Sequence, residues 1–90
     1  MNEVVAEARI RNKLGLHARP AAEIVRLAQR FQADIRIAKD DQEVPARSIM
    51  ALMMLAAEPG SRLTIRATGP DADEAVRALK ELIDRGFDEE

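Results

Sequence analysis

Along the chain, apolar and polar residues alternate with a period of two in four segments and recur at helical spacing in three others, with turn residues at the boundaries. The order is strand, helix, strand, strand, helix, strand, helix. In the first strand Val4, Ala6, Ala8 and Ile10 point one way while Val5, Glu7, Arg9 and Arg11 point the other, because successive side chains of a strand lie on opposite faces. Ala33, Ile35 and Ile37 repeat the pattern against Asp34 and Arg36, as do Leu63, Ile65 and Ala67 against Arg62, Thr64 and Arg66. Asp40 and Asp41 form the turn into a short third strand around Glu43 to Ala46. Pro45 puts that strand at a sheet edge, since it has no N–H to give to a ladder. A sheet that is apolar on one side only is expected to be antiparallel, with helices covering that side and charged residues facing water on the other. The pattern therefore predicts an α+β open-faced sandwich, a four-stranded antiparallel sheet covered on one face by three helices in the order βαββαβα.

The first helix presents Ala21, Ile24, Val25, Ala28 and Phe31 on one face, leaves Glu23, Arg26 and Arg30 outside, and carries Pro20 in its first turn. The last helix opens with Asp71 and Glu74 at capping-box spacing, runs Ala75, Val76, Leu79, Leu82 and Ile83 along its core face and stops at Gly86, with Phe87 folding back beyond it. The middle helix, Ser48 to about Ala56, is apolar almost all the way round. If Leu52, Leu55 and Ala56 face the sheet, then Ile49, Met50 and Met53 point outward. Apolar groups clustered on one short exposed helix suit a docking surface, and methionine adapts to several partner shapes. The plainer alternative is that Met50 or Met53 tucks under a neighbouring loop.

Composition narrows the chemistry. Ninety residues with 47% apolar content make one compact domain over 1–90 rather than two. The net charge of -2 gives no general reason to expect nucleic acid as a partner. Residues 1–47 carry nine basic against seven acidic side chains, a surplus that can meet an acidic protein partner. Without cysteine there is no disulfide framework, thiolate metal site or thiol nucleophile. The opening MNEVVAEARI lacks the features of a secretory signal, and the longest apolar run, Ile49 to Ala57, is about half of what a bilayer needs. A cytoplasmic protein that does not enter membranes is expected.

The lone histidine, His17, lies where a Gly15-containing loop runs into the first helix. Orphan amides and the positive end of the dipole make such a helix mouth favourable for an anion by roughly 0.3–1 kcal/mol. The same field disfavours an imidazolium and so tends to keep His17 neutral and nucleophilic. Arg19 adds a planar fork for two phosphate oxygens, and the backbone amides of Ala18 and Arg19 complete a cradle. These are the parts of a phosphohistidine site, although a merely polar residue at a helix start also explains His17. One histidine gives no transition-metal site, the Gly15 segment is no Walker loop, and neither Ser48 nor Ser61 has the partners of a triad. No cofactor is expected. Two other readings fit the element order and the apolar helix: a ligand-sensing regulatory domain of ferredoxin-like type that would not need His17, and a passive adaptor docking through Ile49 and Met50.

NKLGLHARPA at residues 12–21, ARSIMALMMLAAEPG at 46–60 and LTIRATGPDADEA at 63–75 resemble the HPr family, the histidine-containing phosphocarriers of the bacterial sugar phosphotransferase system, over essentially the whole chain. The resemblance implies an HPr-like fold and a relay rather than an independent catalyst. His17 takes a phosphoryl group on Nδ1 from enzyme I, charged by phosphoenolpyruvate, and delivers it to an enzyme IIA protein or domain. Arg19 binds the phosphate, and Ile49, Met50 and Met53 meet both partners. The family's regulatory serine falls on Ser48, the substrate of an HPr kinase/phosphorylase. Ser48 also suits the N-cap of its helix, a role worth about 1 kcal/mol. Arg47 beside it is placed to bind a phosphate on Ser48 or to meet acidic partners. A monomer is expected. The ending IDRGFDEE and the NKLG segment look like the nitrogen-branch relative NPr, which keeps the same chemistry at His17 with a different donor and acceptor pair.

Overall fold

A computed structural model of the chain describes residues 3–89; Met1, Asn2 and Glu90, the outermost residues of the expected 1–90 domain, lie outside them. The elements are β1 (Glu3–Arg9), α1 (Ala18–Ala28), β2 (Asp34–Lys39), β3 (Gln42–Pro45), α2 (Ile49–Met54), β4 (Arg62–Thr68) and α3 (Ala72–Asp84), followed by a 3-10 turn, Gly86–Asp88. The strands form a four-stranded sheet in the order β1-β4-β2-β3, each neighbour antiparallel to the next. This is the open-faced βαββαβα sandwich that the alternation predicts.

Register explains why the sheet has two characters. Ala6 pairs with Ile65, Ile65 with Ile37 and Ile37 with Val44, so one apolar row crosses all four strands on the helix-covered face. Ile65 and Ile37 are fully buried there beside Leu52 of α2 and Leu79 and Ile83 of α3. On the other face Arg66 opposes Arg36, and its guanidinium reaches Glu3 Oε1 and Glu43 Oε2, each at 3.2 Å. Those pairs are exposed and add little stability, but they separate like charges on a wet surface. Pro45 ends β3 on the outer edge, where its missing N–H costs no ladder bond.

Two local expectations need correction. Asp71 is the N-cap residue of α3, yet its side chain makes no capping bond. Its two carboxylate oxygens instead accept the N–H groups of Gln32 and Ala33, each at 2.9 Å. The turn between α1 and β2 strands those two amides, and one carboxylate satisfying both outweighs a local capping box. Ala56, expected to face the sheet, is exposed and has a φ of 52°. The chain must turn sharply out of α2 after Leu55, and the residue past the helix end takes the left-handed conformation that does this. Ala57 is buried in its place. At the other end of the fold Gly86 stops α3 with a φ of 72°, and Phe87 folds back into the core, as its position suggests.

Candidate functional site

His17 is the N-cap of α1. Its backbone is extended, with φ -87° and ψ -170°, its carbonyl accepts the N–H of Ala21 at 3.1 Å, and its side chain makes no capping bond. The imidazole is thus spared the role that a serine or aspartate would take here. Helix geometry leaves the amides of Ala18 and Arg19 without intrahelical acceptors, and Pro20 behind them has no N–H. No acidic side chain stands in the first turn. The helix mouth therefore offers donors and a positive dipole end to an anion beside the ring.

The loop carrying the ring is held by backbone contacts. Gly15 has a φ of 69°, and a Cβ on it would lie 2.4 Å from the carbonyl oxygen of Ala57. That oxygen accepts the N–H of Leu16 at 2.9 Å. Only glycine permits both the left-handed turn and this close approach. The histidine loop is thereby joined to the segment that leaves α2.

A carboxylate sits against the ring. His17 Nε2 lies 3.1 Å from both Oε1 and Oε2 of Glu89, and Arg19 Nη1 is 3.9 Å from Oε2. Asn12, only 2% exposed, anchors the group from behind: its Nδ2 donates to Glu89 Oε1 at 2.9 Å and to the carbonyl of Gly15 at 2.7 Å. The hydrogen bond from His17 is the main influence on Glu89 and, with help from Asn12 and the Arg19 cation, it overcomes the partial burial that works against it. The carboxyl is held below the usual carboxylate range, so it is ionised at neutral pH. The His17 side chain is 32% exposed and that of Arg19 75%, so both remain accessible beside the buried anchor.

A family model described as the PTS HPr component phosphorylation site matches residues 4–85. The chain belongs to the HPr family. It is 48% identical over 84 residues to the phosphocarrier protein HPr of Pseudomonas aeruginosa, covering 92% of this chain and 93% of that one. To the phosphocarrier protein NPr of Escherichia coli K12 it is 43% identical over 82 residues, covering 90% and 91%. The crystal structure of an HPr from Bacillus anthracis matches with a TM-score of 0.87 at 46% identity, covering 92% of this chain and 99% of that one. HPr and NPr relatives thus stand at comparable distance, and the phosphocarrier function named for both is what they have in common.

The residues expected to serve HPr partners are placed unevenly. On α2, Ile49 is 40% exposed, Met50 76% and Met53 42%, while Leu52 is fully buried, so neither Met50 nor Met53 is tucked away. The apolar surface is wider than the sequence pattern suggests, because Met54 and Leu14 of the histidine loop are exposed as well. Ser48 is the N-cap of α2, its Oγ accepting the N–H of Ala51 at 3.1 Å. Arg47 has an intramolecular role that the sequence does not show. Its guanidinium donates to the carbonyls of Ala28 at 3.0 Å, Phe31 at 2.6 Å and Ala33 at 3.2 Å. Regular helical partners run out at the end of α1, where the Ala28 oxygen takes only the turn N–H of Phe31 at 3.1 Å, and a fork of fixed N–H groups meets the acceptor capacity that is left. Arg47 is thus an exposed residue that clamps the end of α1. Asn12 and Glu89 carry no site signal in the sequence beyond the NKLG and GFDEE segments. A surface depression away from the histidine lies between α1 and α3, lined by Glu23, Arg26, Leu27, Arg30, Leu82 and Arg85.

Proposed function

We propose that this phosphocarrier accepts a phosphoryl group on Nδ1 of His17 from the phosphohistidine of enzyme I and passes it to an enzyme IIA protein or domain, working as a cytoplasmic monomer in sugar uptake or its regulation. The observation that carries this reading is the accessible imidazole at the mouth of α1, flanked by the unpaired amides of Ala18 and Arg19 and by the Arg19 guanidinium. Nε2 is already engaged by Glu89, which leaves Nδ1 as the nitrogen for attack. The new dianion then finds donors that need no rearrangement of the fold, the condition under which electrostatic stabilisation is most effective. Ile49, Met50 and Met53 form the adjoining contact surface for both partners. Such a shared face suits brief encounters, since donor and acceptor must each bring a histidine to the same atom and then leave. On this reading Ser48 is a regulatory phosphorylation site for an HPr kinase/phosphorylase, where a phosphate would add about -1.5 to -2 of charge beside the docking residues.

Incubation with phosphoenolpyruvate and enzyme I tests the assignment. The chain should gain one acid-labile phosphate, and the His17→Ala variant none. Normal labelling of that variant refutes the site. Arg19→Ala should keep the wild-type melting transition and lose about a hundredfold in transfer rate, the lower end of what removal of one donor to developing charge costs; an unchanged rate would remove Arg19 from the site.

A further inference from the structure

We propose that Glu89 is a positioning residue for phosphoryl transfer, accepting the hydrogen bond of the Nε2–H of His17 and so holding the ring with Nδ1 bare and turned outward. The inference rests on His17 being the phosphoryl acceptor. An imidazole without a fixed partner exchanges its proton between two nitrogens and turns about its side-chain bonds, and either motion removes the attacking lone pair from the helix mouth. Here both carboxylate oxygens stand 3.1 Å from Nε2. A carboxylate ionised at neutral pH has no proton to donate, so the hydrogen bond requires the proton on Nε2 and leaves the lone pair on Nδ1.

Two further side chains face the carboxylate. Asn12 Nδ2 holds Oε1 at 2.9 Å, and the same Nδ2 is pinned to the Gly15 carbonyl at 2.7 Å. Arg19 approaches Oε2 at 3.9 Å. The backbone that delivers Glu89 is unusual: Gly86, Phe87 and Asp88 have φ values of 72°, 57° and 60°, a left-handed turn in which two of the three residues carry side chains. Left-handed backbone costs roughly 1–2 kcal/mol for each such residue. Burial of the Phe87 ring, 3% exposed, offsets that cost, while the exposed pair between Arg85 and Asp88 at 3.1 Å adds little. The outcome of the strained turn is a carboxylate set against the ring from a position 72 residues away in sequence.

The chemistry uses that carboxylate twice. In the acceptance step the Nδ1 lone pair forms the new N–P bond while the P–N bond to the donor's phosphohistidine breaks, its electron pair staying on the donor nitrogen. The ring of His17 keeps its Nε2 proton throughout and gains positive charge as the bond forms. Glu89 faces that proton and balances the charge, as a buried carboxylate does for the histidine of a serine hydrolase. Delivery to the acceptor runs the same steps backward, so no proton has to enter or leave the ring in either direction.

The test compares wild type with Glu89→Ala and Glu89→Gln by two readouts: the nitrogen-15 shifts of the neutral His17 ring, and the rate of phosphoryl uptake at saturating phosphorylated enzyme I. In wild type Nε2 should carry the proton. Glu89→Ala should move the two ring shifts toward each other as the tautomers mix, and should slow uptake about tenfold, the lower end of what loss of a carboxylate behind a functional histidine costs. Glu89→Gln keeps an acceptor oxygen without the charge, so it should retain the wild-type tautomer at an intermediate rate. A Glu89→Ala protein that takes up its one phosphate at the wild-type rate overturns the inference whether or not the shifts move, and leaves the carrier reading standing. Slow uptake with unmoved shifts also overturns it, because Glu89 would then act on the partner and not on the ring. Wild-type protein that takes up no phosphate overturns the carrier reading, and the inference with it.

Discussion

Gly15 shows how much one residue can hold. Its left-handed backbone turns the loop toward His17, and its missing side chain admits the Ala57 carbonyl oxygen that anchors Leu16. Gly15→Ala must both strain the backbone and displace that oxygen, at a cost of about 1–3 kcal/mol. The expected outcome is a lower denaturant midpoint together with slower phosphoryl uptake, since on the proposed reading the loop that moves carries the acceptor; a variant with the wild-type midpoint would show that the seam yields freely. At this scale the sequence is legible where a residue acts on its neighbours. His17 lies at the mouth of the first helix, and Ser48 takes the N-cap position of the second, as their places in the sequence indicate. Asn12 and Glu89 were not legible as site residues, because they meet each other and the ring only after α3 and the left-handed turn have brought residues 77 positions apart together. The bonds of Arg47 are hidden in the sequence for a related reason. A cation beside an exposed helix reads as a docking charge, yet the strongest claim on it comes from carbonyls of a helix elsewhere in the chain.

Among the elements, the strands read clearly because a half-buried sheet imposes one rule on every residue in it. The apolar row Ala6, Ile65, Ile37 and Val44 is spaced by that rule alone. α2 was legible through an excess, since a six-residue helix with Ile49, Met50, Met53 and Met54 has more apolar surface than one core contact can hide. Helix ends were harder. Asp71 and Glu74 have the spacing of a capping box, but spacing counts only local donors, and the stranded amides of Gln32 and Ala33 compete for the same carboxylate. Replacing Asp71 therefore loosens two elements at once. Asp71→Ala should cost about 1–3 kcal/mol by chemical denaturation, and the amides of Gln32 and Ala33 should lose hydrogen-exchange protection. If only amides in the first turn of α3 became labile, Asp71 would be an ordinary helix cap.

Over the whole molecule, acid should open the fold from a defined corner. Asp84 joins the end of α3 to β1: Arg9 N–H donates to one oxygen at 3.0 Å and Lys80 Nζ to the other at 2.9 Å. Partial burial would raise its carboxyl, but the Arg9 amide, the Lys80 hydrogen bond and charge, and the Arg11 cation outweigh it and hold the group below the ordinary value. Glu89 is lowered as well, through its hydrogen bond from His17. Both groups bind protons more readily when the chain is unfolded, so their stabilisation is complete above the unfolded value of about 4 and disappears as pH falls through the lower folded values. Urea midpoints should drop below about pH 4, and Asp84→Asn should flatten that part of the curve. An unaltered slope in the variant would place the acid sensitivity elsewhere. The exposure of the His17 ring has a different consequence, one of timing. On the proposed reading, a phosphoryl group carried on a side chain with about a third of its surface in solvent travels under attack from water. Its lifetime must then be a property of the nitrogen–phosphorus bond itself, and cargo that waits too long between collisions is lost as inorganic phosphate.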